Sequence, residues 1–370
     1  MKKLAFLLLG ATLLLTNACN QNIQKPARFI PEGQAPKNII LLVGDGMGVT
    51  QLSTSFYYNE KPSNFFRFKD LGLHIPKPVG AKITDSAAGA TAFSAGVKTY
   101  NGAIAMDKDT QAVETILEIL SQKGLSTGVV STSSVTHATP ASFYAHVPSR
   151  RMQEEIAEQM LDSKVDFVAG GGKKFFSKRK DGKNLIEGLR LKGFEVDTTK
   201  LAKRGLTIDK KYVYLLGRDF MPKMEDGRED FLPKAAELAI SHLSQDPKGF
   251  FLMVEGSQID WGGHANDANY IIEEMKDFDE MVGKVLDFAE KDGNTLVVVT
   301  ADHETGGFAL SSAKVRRQDD YRGLAPTFST GGHTAALIPV LAYGPGAERF
   351  RGIYQNNEIF AKMLAGGTLD

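Results

Sequence analysis

The chain has 370 residues, of which 42% are hydrophobic and 24% are charged. These proportions are typical of a globular protein with one or two domains, and they exclude a disordered, collagen-like or purely coiled-coil chain. The 44 Lys and Arg residues balance 44 Asp and Glu residues, so the formal net charge is zero. The broad electrostatic attraction on which nucleic-acid binding depends is therefore missing, and we expect no nucleic-acid binding as the main role.

The N-terminus has the order of residues found in an export signal. Two lysines precede an apolar run that ends at Leu15, and small residues lead to Cys19, the single cysteine. The run is shorter than the ~20 residues of a membrane span, so residues 1–19 are predicted to be an export signal. Simple cleavage near Ala18 and a lipoprotein acylated on Cys19 both fit. We favour the lipoprotein, because the pattern resembles a bacterial lipobox, and expect a protein of the periplasm, outer membrane or cell surface.

Beyond a polar tether over residues 20–37, residues 38–370 are predicted to form one α/β domain. Strand-like apolar runs alternate with helix-like segments, the pattern of a mainly parallel central sheet with helices on both faces. A Lys- and Gly-rich segment over about 173–228 predicts a small elaboration on the rim of the sheet. The predicted strands are Asn38–Val43, Thr127–Ser131, Val165–Ala169, Tyr212–Leu216, Phe250–Val254, Thr295–Thr300 and Leu337–Tyr343, and the predicted helices are Ala112–Lys123, Met152–Asp162, Leu232–Gln245 and Tyr270–Lys291.

Carboxylates lie just beyond the C-terminal ends of three predicted strands. Asp45 follows the first strand, Glu255 and Asp260 follow the fifth, and Asp302 follows the sixth. In open α/β sheets this edge is where ligands bind. Carboxylates gathered there would repel one another, and their pKa values would rise unless cations were present. Bound divalent metal ions are the simplest explanation.

Histidines near these carboxylates support a metal site. His264 lies four residues after Asp260, which places both on one face of a helical turn, and His303 follows Asp302. Adjacent residues of a strand point to opposite faces, so Asp302 and His303 can reach one ion only if the strand has already ended. Asp and His ligands suit zinc, whereas oxygen ligands suit magnesium. A single Asp after a strand is more commonly a cap or turn residue, but three such features together favour a metal centre.

A run of small residues from Thr84 to Ala92 predicts the start of a helix, with Asp85 or Ser86 near its N-terminus. Unpaired N–H groups and the helix dipole favour anions at such a position, so a serine there could attack an anionic substrate. The alternative is a tightly packed helix that uses small residues only for close contact.

Five motifs follow one another along the chain and span roughly Asn38 to Pro345. They are Gly44-Asp45-Gly46-Met47-Gly48; Asp85-Ser86-Ala87-Ala88 continuing to Gly96-Val97-Lys98-Thr99-Tyr100-Asn101-Gly102; Ala138-Thr139-Pro140 with Arg150 eleven residues after Thr139; Glu255-Gly256-Ser257 through Asp260 and His264; and Thr300-Ala301-Asp302-His303-Glu304-Thr305-Gly306-Gly307 followed by His333. In order and spacing these motifs resemble those of the alkaline phosphatase family, and in particular its bacterial members with a serine nucleophile and three metal ions.

The resemblance implies hydrolysis of small phosphomonoesters through a covalent phosphoserine on Ser86, with release of inorganic phosphate. It implies that Arg150 grips the phosphate oxygens, a task suited to a planar guanidinium. It further implies two Zn²⁺ ions and one Mg²⁺ ion, and a homodimer. The implied ligands are Asp260, His264 and His333 for the first zinc; Asp45, Asp302, His303 and the Ser86 oxygen for the second; and Asp45, Thr139 and Glu255 for magnesium.

The chain departs from some bacterial members of that family at two positions. His137 stands where those members have Asp, and Trp261 stands where they have Lys. His137 could therefore draw Zn²⁺ or Co²⁺ to the third site, or it could hold a neighbouring residue by a hydrogen bond. His146 is predicted to pack or to hold another residue, and His74 and His242 to be ordinary core or surface residues.

Two other functions remain open from the sequence. One is a phosphodiesterase or sulfatase of the same superfamily, although such relatives commonly use Thr or a modified Cys where this chain has Ser86. The other is a surface lipoprotein that binds zinc or phosphate without catalysis. Such a protein would need neither Ser86 nor Arg150, so the presence of both disfavours it.

Overall fold

The computed structural model describes residues 35–202, 205–316 and 318–365. The predicted export signal, Cys19 and most of the predicted tether lie outside these ranges. The strands are β1 Asn38–Gly44, β2 Asp70–Ile75, β3 Ser126–Ser134, β4 Phe167–Gly171, β5 Phe194–Asp197, β6 Lys211–Leu215, β7 Phe250–Gly256, β8 Thr295–Thr300, β9 Glu304–Thr305, β10 Phe308–Val315, β11 Gln318–Phe328, β12 His333–Thr334, β13 Ile338–Tyr343 and β14 Gly352–Gln355. The helices are α1 Val49–Tyr57, α2 Ser86–Ala95, α3 Ile116–Gln122, α4 Ala138–Ala141, α5 Gln153–Gln159, α6 Lys173–Ser177, α7 Leu185–Leu191, α8 Phe231–Leu243, α9 Gln258–Ala265, α10 Ala268–Asp292 and α11 Glu358–Leu364.

Ten strands form the central sheet in the order β14-β2-β13-β8-β1-β7-β3-β4-β6-β5. Within the described sheet only β13 runs antiparallel to its neighbours. At the carboxyl end of the centre, Val43 of β1 lies between Glu255 of β7 and Thr300 of β8. The parallel register therefore brings the chain segments after these strands to one edge.

Both faces of the sheet are covered, which explains why the central strands are apolar throughout. Ile39, Leu41 and Val43 of β1 pack into the core beneath α2 to α7 and α11, whereas Ile40 and Leu42 pack beneath α1 and α8 to α10. A parallel strand buried on both faces reads as a continuous apolar run, and every residue of β1 is buried. The predicted α/β fold class, with a mainly parallel sheet and helices on both faces, is confirmed.

The predicted strands are all present, and the predicted helices correspond to α3, α5, α8 and α10. Helices α3 and α5 are clearly shorter than predicted, and α8 ends two residues earlier. Helix α3 begins at Ile116 because Thr115 caps it and Glu118 bonds back to the cap, and α5 gives way to a 3₁₀ turn over Met160–Asp162. The short strand β2, the edge strands β5 and β14, and the hairpin β10–β11 were not predicted.

Residues 173–228, predicted as a rim elaboration, supply α6, α7, the edge strand β5 and its neighbour β6. Their C-terminal end is attached to α10 by Arg228, whose buried guanidinium pairs with Glu274 and, at 2.8 Å, with Asp277. No helix of the described ranges is long and apolar enough to cross a bilayer.

Candidate active site

Four parallel strands place most of the predicted metal ligands at one edge of the sheet. Asp45 directly follows β1, Glu255 lies at the end of β7, and Asp302 follows β8. Strand β8 ends at Thr300, so the pleat is broken before Asp302 and the side chain of His303 can turn to the same site. Helix α4 after β3 carries Thr139, and α9 after β7 carries the remaining carboxylate and one histidine.

Asp260, His264 and His333 form the first group of candidate ligands. Nε2 of His264 lies 3.1 Å from Nε2 of His333 and 3.4 Å from Oδ1 of Asp260. The third side of the triangle, from His333 Nε2 to the same Oδ1, is 3.6 Å. Ligands of a tetrahedral zinc ion with bonds of about 2.0–2.1 Å are roughly 3.3–3.4 Å apart, so these three atoms fit such an ion.

Hydrogen bonds fix the tautomers of the site histidines. Nδ1 of His333 lies 2.8 Å from the carbonyl oxygen of Thr84, and Nδ1 of His264 lies 2.8 Å from that of Gly331. A carbonyl only accepts, so both rings carry their proton on Nδ1 and present a lone pair on Nε2. Histidines that bind metals usually donate their other N–H in this way.

His303 has the same tautomer for a related reason. The hydroxyl of Thr305 donates to Oδ1 of Asp260 at 2.5 Å, so its oxygen accepts from Nδ1–H of His303 at 3.1 Å. Nε2 of His303 then faces Oδ2 of Asp302 at 3.1 Å and Oδ1 of Asp45 at 3.5 Å. Asp45, Asp302 and His303 are fully buried and form the second group of candidate ligands.

Ser86 lies beside this second group. It is the first residue of α2, and its Oγ is 3.2 Å from Nε2 of His303. Because His303 is protonated on Nδ1, the serine hydroxyl donates to Nε2. The structure thus places a hydroxyl at a helix N-terminus and next to buried candidate ligands, as the predicted role of Ser86 requires.

The third group comprises Asp45, Glu255 and Thr139, and a ring nitrogen of His137 also lies within 4.8 Å of carboxylate oxygens of Asp45 and Glu255. The hydroxyl of Thr139 is 3.4 Å from Oδ2 of Asp45, and Oε2 of Glu255 accepts from Ser131 at 2.6 Å. Among the described residues, no group donates a hydrogen bond to Oδ1 of Asp45 or Oε1 of Glu255, although both atoms are buried. Buried carboxylate oxygens without a donor are costly, so this set also fits a cation.

The buried carboxylates show most of the electrostatic strain predicted from the sequence. Burial, followed by repulsion from Asp302 and Asp260, raises the pKa of Asp45 well above its usual range. Burial likewise raises the pKa of Glu255, although hydrogen bonds from Ser131 and Ser257 oppose the effect. Asp302 differs: burial raises its pKa, but the charge and hydrogen bond of His303 in its protonated form, followed by the charge of His333, lower the pKa below its ordinary value.

Arg150 is held at the mouth of the site by two contacts. Its Nη1 lies 3.1 Å from Oδ2 of Asp85, and its Nη2 lies 3.2 Å from Nε2 of His137. Asp85 also caps α2, because its Oδ1 accepts from the backbone N–H of Ala88 at 3.0 Å. One carboxylate therefore positions both the helix that bears Ser86 and the arginine.

The contact with Arg150 fixes the tautomer of His137. A guanidinium only donates, so Nε2 of His137 accepts and the neutral ring carries its proton on Nδ1. Burial, then Arg150, lowers the pKa of His137 to about 3, which keeps the ring neutral. The ring of Trp261 packs edge-on against His137 with centroids 6.2 Å apart.

Sequence reasoning missed three residues of the site: Asp85 as the anchor of Arg150, Thr305 as the link between His303 and Asp260, and Glu304 as a bridge between β9 and β12. All three lie inside the recognised motifs. Their position in a motif indicates that they matter, but it does not predict which residues they bond, because most of their partners lie far away in the chain.

The site defines the class of protein. A serine hydroxyl, an arginine and clustered cation ligands at the carboxyl edge of a parallel sheet suit metal-dependent phosphoryl transfer.

Comparisons with known proteins give the family. Residues 36–322 match the family model described as alkaline phosphatase. The chain is 37% identical to alkaline phosphatase 3 of Bacillus subtilis, with 87% of each chain covered, and 33% identical to the alkaline phosphatase of Escherichia coli K12, with 89% of this chain and 85% of that one covered. The solved structure of alkaline phosphatase from the Antarctic bacterium TAB5 is 51% identical, with a TM-score of 0.87 over 90% of this chain and 98% of that one.

The chain therefore belongs to the alkaline phosphatase family. It is a phosphatase that hydrolyses phosphomonoesters in a metal-dependent reaction, and the covalent phosphoserine mechanism is general for the family. The family resemblance and the phosphomonoesterase activity predicted from the sequence are confirmed.

Proposed function

We propose that Ser86 is the nucleophile and Arg150 the phosphate-binding residue of this phosphomonoesterase. The observation that carries the proposal is the position of Ser86 Oγ at the N-terminus of α2, 3.2 Å from Nε2 of His303. The helix N-terminus favours a negatively charged phosphoryl group at the same place.

We propose two Zn²⁺ ions and one Mg²⁺ ion as cofactors. Asp260, His264 and His333 would hold the first zinc, and Asp45, Asp302, His303 and Ser86 Oγ the second. Asp45, Thr139 and Glu255 offer only oxygen atoms, which suits magnesium. When bound, these ions supply Lewis-acid stabilisation of the negative charge on the attacking and leaving oxygens.

The protein side chains then perform the reaction in two displacements. Arg150 holds two non-bridging oxygens, so phosphorus lies in line with Ser86 Oγ. Oγ forms a bond to phosphorus as the ester P–O bond breaks, and the alcohol departs with a proton. Water next attacks phosphorus, the Oγ–P bond breaks, and inorganic phosphate is released. Asp85 keeps Arg150 and α2 in fixed relation during both steps, which is the positioning on which phosphoryl transfer depends.

We propose that His137 holds Arg150 and does not bind the third metal. A ring nitrogen of His137 lies within 4.8 Å of candidate ligand atoms of Asp45 and Glu255. The contact with Arg150 engages Nε2 and leaves the proton on Nδ1, so binding of the third metal by Nδ1 would require this contact to break. The solved TAB5 structures that are described with Mg bound in the M3 site are variants in which a histidine is replaced by Asp or Glu. Elemental analysis of the purified protein tests the assignment: magnesium in the third site agrees with it, and cobalt or a third zinc contradicts it. Trp261, which packs on His137, is proposed to keep this ring in place.

Replacing Ser86 by alanine tests the nucleophile. We expect Ser86→Ala to keep its metal content and fold while turnover falls by roughly a thousandfold or more, because the covalent route is lost. After acid quenching, intact mass should show one added phosphoryl group in the wild type and none in the variant. Ser94→Ala, in the same helix, is the matched control. Full activity of Ser86→Ala would disprove the covalent mechanism on this residue.

The alternative superfamily activities are tested with three related substrates: p-nitrophenyl phosphate, bis-p-nitrophenyl phosphate and p-nitrophenyl sulfate. We expect the monoester to have the highest kcat/KM, because Arg150 is proposed to bind, and Ser86 to attack, a terminal phosphoryl group. Faster turnover of the diester or the sulfate would overturn the choice.

We further propose that the protein is exported, that residues 20–37 tether a single domain over 38–370, and that Cys19 carries a lipid anchor. The order of the N-terminal residues supports this, and periplasm or cell surface is then the location. Intact mass of the mature protein decides between acylation and simple cleavage. We also propose a homodimer, as the family resemblance implies, to be tested by light scattering on the purified protein.

A further inference from the structure

Aromatic rings extend outward from Arg150 in a continuous series. His137 contacts Arg150, the ring of Trp261 packs on His137, and the ring of Phe220 packs edge-on against Trp261 with centroids 4.9 Å apart. Phe220 belongs to the 173–228 segment and is 51% exposed. The series therefore begins at the phosphate-binding arginine and ends at an open apolar ring.

The backbone that carries Phe220 is fixed to the catalytic edge of the sheet. A Cβ on Gly171, at the end of β4, would lie 2.4 Å from Cα of Phe220, and one on Gly217 would lie 2.0 Å from its carbonyl oxygen. Only glycines allow this close approach. The next residue, Met221, donates its N–H to the carbonyl of Thr132 at 3.1 Å.

The side chain of Gln258 fixes the same segment from the opposite side. Its Nε2 donates to the carbonyl of Met221 at 2.8 Å, and Gln258 opens α9, the helix that also carries Asp260 and Trp261. The position of Phe220 relative to Trp261 is thus set by β3, β4 and α9 together. Because these contacts fix the backbone that carries the half-exposed phenyl ring, little loop freedom is lost when a ligand binds.

From these contacts we infer that Phe220 and Trp261 form a platform for planar aromatic leaving groups, and that the enzyme prefers phosphomonoesters such as nucleoside 5′-monophosphates. The inference rests on the proposed role of Arg150 and deepens it. With the phosphoryl group on Arg150, a substrate's leaving group extends over the neighbouring rings, where a base can stack. Stacking tolerates any base, because every base has a π-face.

A pair of substrates isolates the contribution of the base. Adenosine 5′-monophosphate and ribose 5-phosphate both release the 5′ hydroxyl of a ribose, so the chemistry at phosphorus is the same. We expect the wild-type kcat/KM for the nucleotide to be higher than that for ribose 5-phosphate, on the order of fivefold. This is the lower end of the range for base stacking, because the ring of Phe220 is half-exposed. Equal kcat/KM values would overturn the inference, whereas turnover of neither substrate would overturn the proposed phosphatase function.

Variants at position 220 separate stacking from a structural effect. Phe220→Ala should bring the nucleotide to ribose phosphate ratio close to one, and Phe220→Tyr should restore it. Phe220→Leu, which keeps apolar bulk without a ring, should restore it only in part. A loss of folding would lower kcat/KM for both substrates and leave the ratio unchanged, which would contradict a binding role. Phe66→Ala, at another exposed phenylalanine, is the matched control and should leave the ratio at the wild-type value.

Discussion

Glu304 accepts a hydrogen bond from the hydroxyl of Thr334, and these two residues directly follow His303 and His333. The carboxylate of Glu304 also accepts from Nε2 of Gln51 in α1 at 2.7 Å. Glu304 is buried, and it pairs with Thr334 in the short antiparallel ladder of β9 and β12. One carboxylate therefore sets the spacing of two segments that carry candidate zinc ligands.

This bridge predicts a metal-binding defect in Glu304→Gln. The substituted amide presents a donor where the carboxylate accepted, so at least one of its bonds is lost and His333 shifts relative to His303. Loss of such supporting bonds typically weakens metal binding by about 10–100-fold, which competition with a chromophoric chelator would measure. Glu155→Gln, at an exposed carboxylate, should bind zinc like the wild type. If Glu304→Gln binds zinc with unchanged affinity and only lowers the Tm of the metal-free protein, the hydrogen bonds of Glu304 stabilise the fold and do not support metal binding.

Arg150→Lys should weaken phosphate binding while leaving metal content unchanged. Lysine cannot bond two phosphate oxygens in the plane of a guanidinium while also reaching Asp85. Loss of one charged hydrogen bond corresponds to about 1.5–3 kcal/mol, so KM and the Ki of inorganic phosphate should both rise by roughly 10–100-fold. Inhibition assays measure both constants. Arg151→Lys, at the exposed neighbour, is the control, and an equal effect there would refute the assignment to Arg150.

The central sheet could be predicted from the sequence because its strands are buried on both faces. Runs such as Asn38–Gly44 and Thr295–Thr300 are almost continuously apolar, and their short length and β-branched residues favour buried strands over helices. The hairpin β10–β11 lacks that signal, since most of its side chains are at least partly exposed. Helix α9 contains Gly262 and Gly263, which lower its helix propensity, and its stability comes from contacts with α10 and β9.

The candidate ligands could be predicted, but their supports could not. Asp45, Asp260 and Asp302 stand at strand ends within recognisable motifs. The hydrogen bond from Thr305 to Asp260, by contrast, joins residues 45 positions apart, and no periodicity of the sequence predicts it. Such pairs depend on the packing of whole elements, which local sequence does not encode.

Gly46→Ala should destabilise both the fold and the metal centre. Gly46 has φ of +74°, and a Cβ there would lie 2.6 Å from Cα of Asp260. The strained backbone costs about 1–2 kcal/mol and the overpacking about 1–3 kcal/mol, so we expect a loss of roughly 2–5 kcal/mol in unfolding free energy. Weaker zinc binding should follow, since Asp45 and Asp260 are pushed apart.

Gly80→Ala separates these two contributions. Gly80 has φ of +75°, but a Cβ added there would have no atom within 4 Å, so this variant reports the backbone cost alone. Urea unfolding of both variants should show a clearly smaller loss for Gly80→Ala, with normal zinc affinity. Equal losses in the two variants would show that the approach of Gly46 to Asp260 contributes nothing.

His74 lies behind the site, where sequence reasoning expected only an ordinary core or surface residue. Its Nε2 donates to the carbonyl oxygen of Ala301 at 2.9 Å, at the point where the chain leaves β8 towards Asp302. Its ring packs edge-on against Phe93 of α2. His74 therefore connects the segment of Asp302 to the helix of Ser86.

The pKa of His74 predicts a pH-dependent stability. Burial lowers this pKa to about 4 from an ordinary value of 6.5, so between these values the unfolded chain binds the extra proton and the folded chain does not. Stability from His74 is therefore complete above about pH 6.5 and falls by about 1.4 kcal/mol per unit as the pH drops towards 4. His74→Gln keeps an N–H donor for Ala301 without titrating. In urea unfolding of metal-free protein, the stability of the wild type relative to His74→Gln should fall by about 2 kcal/mol between pH 7 and pH 5, and a constant difference would contradict the neutral, buried ring.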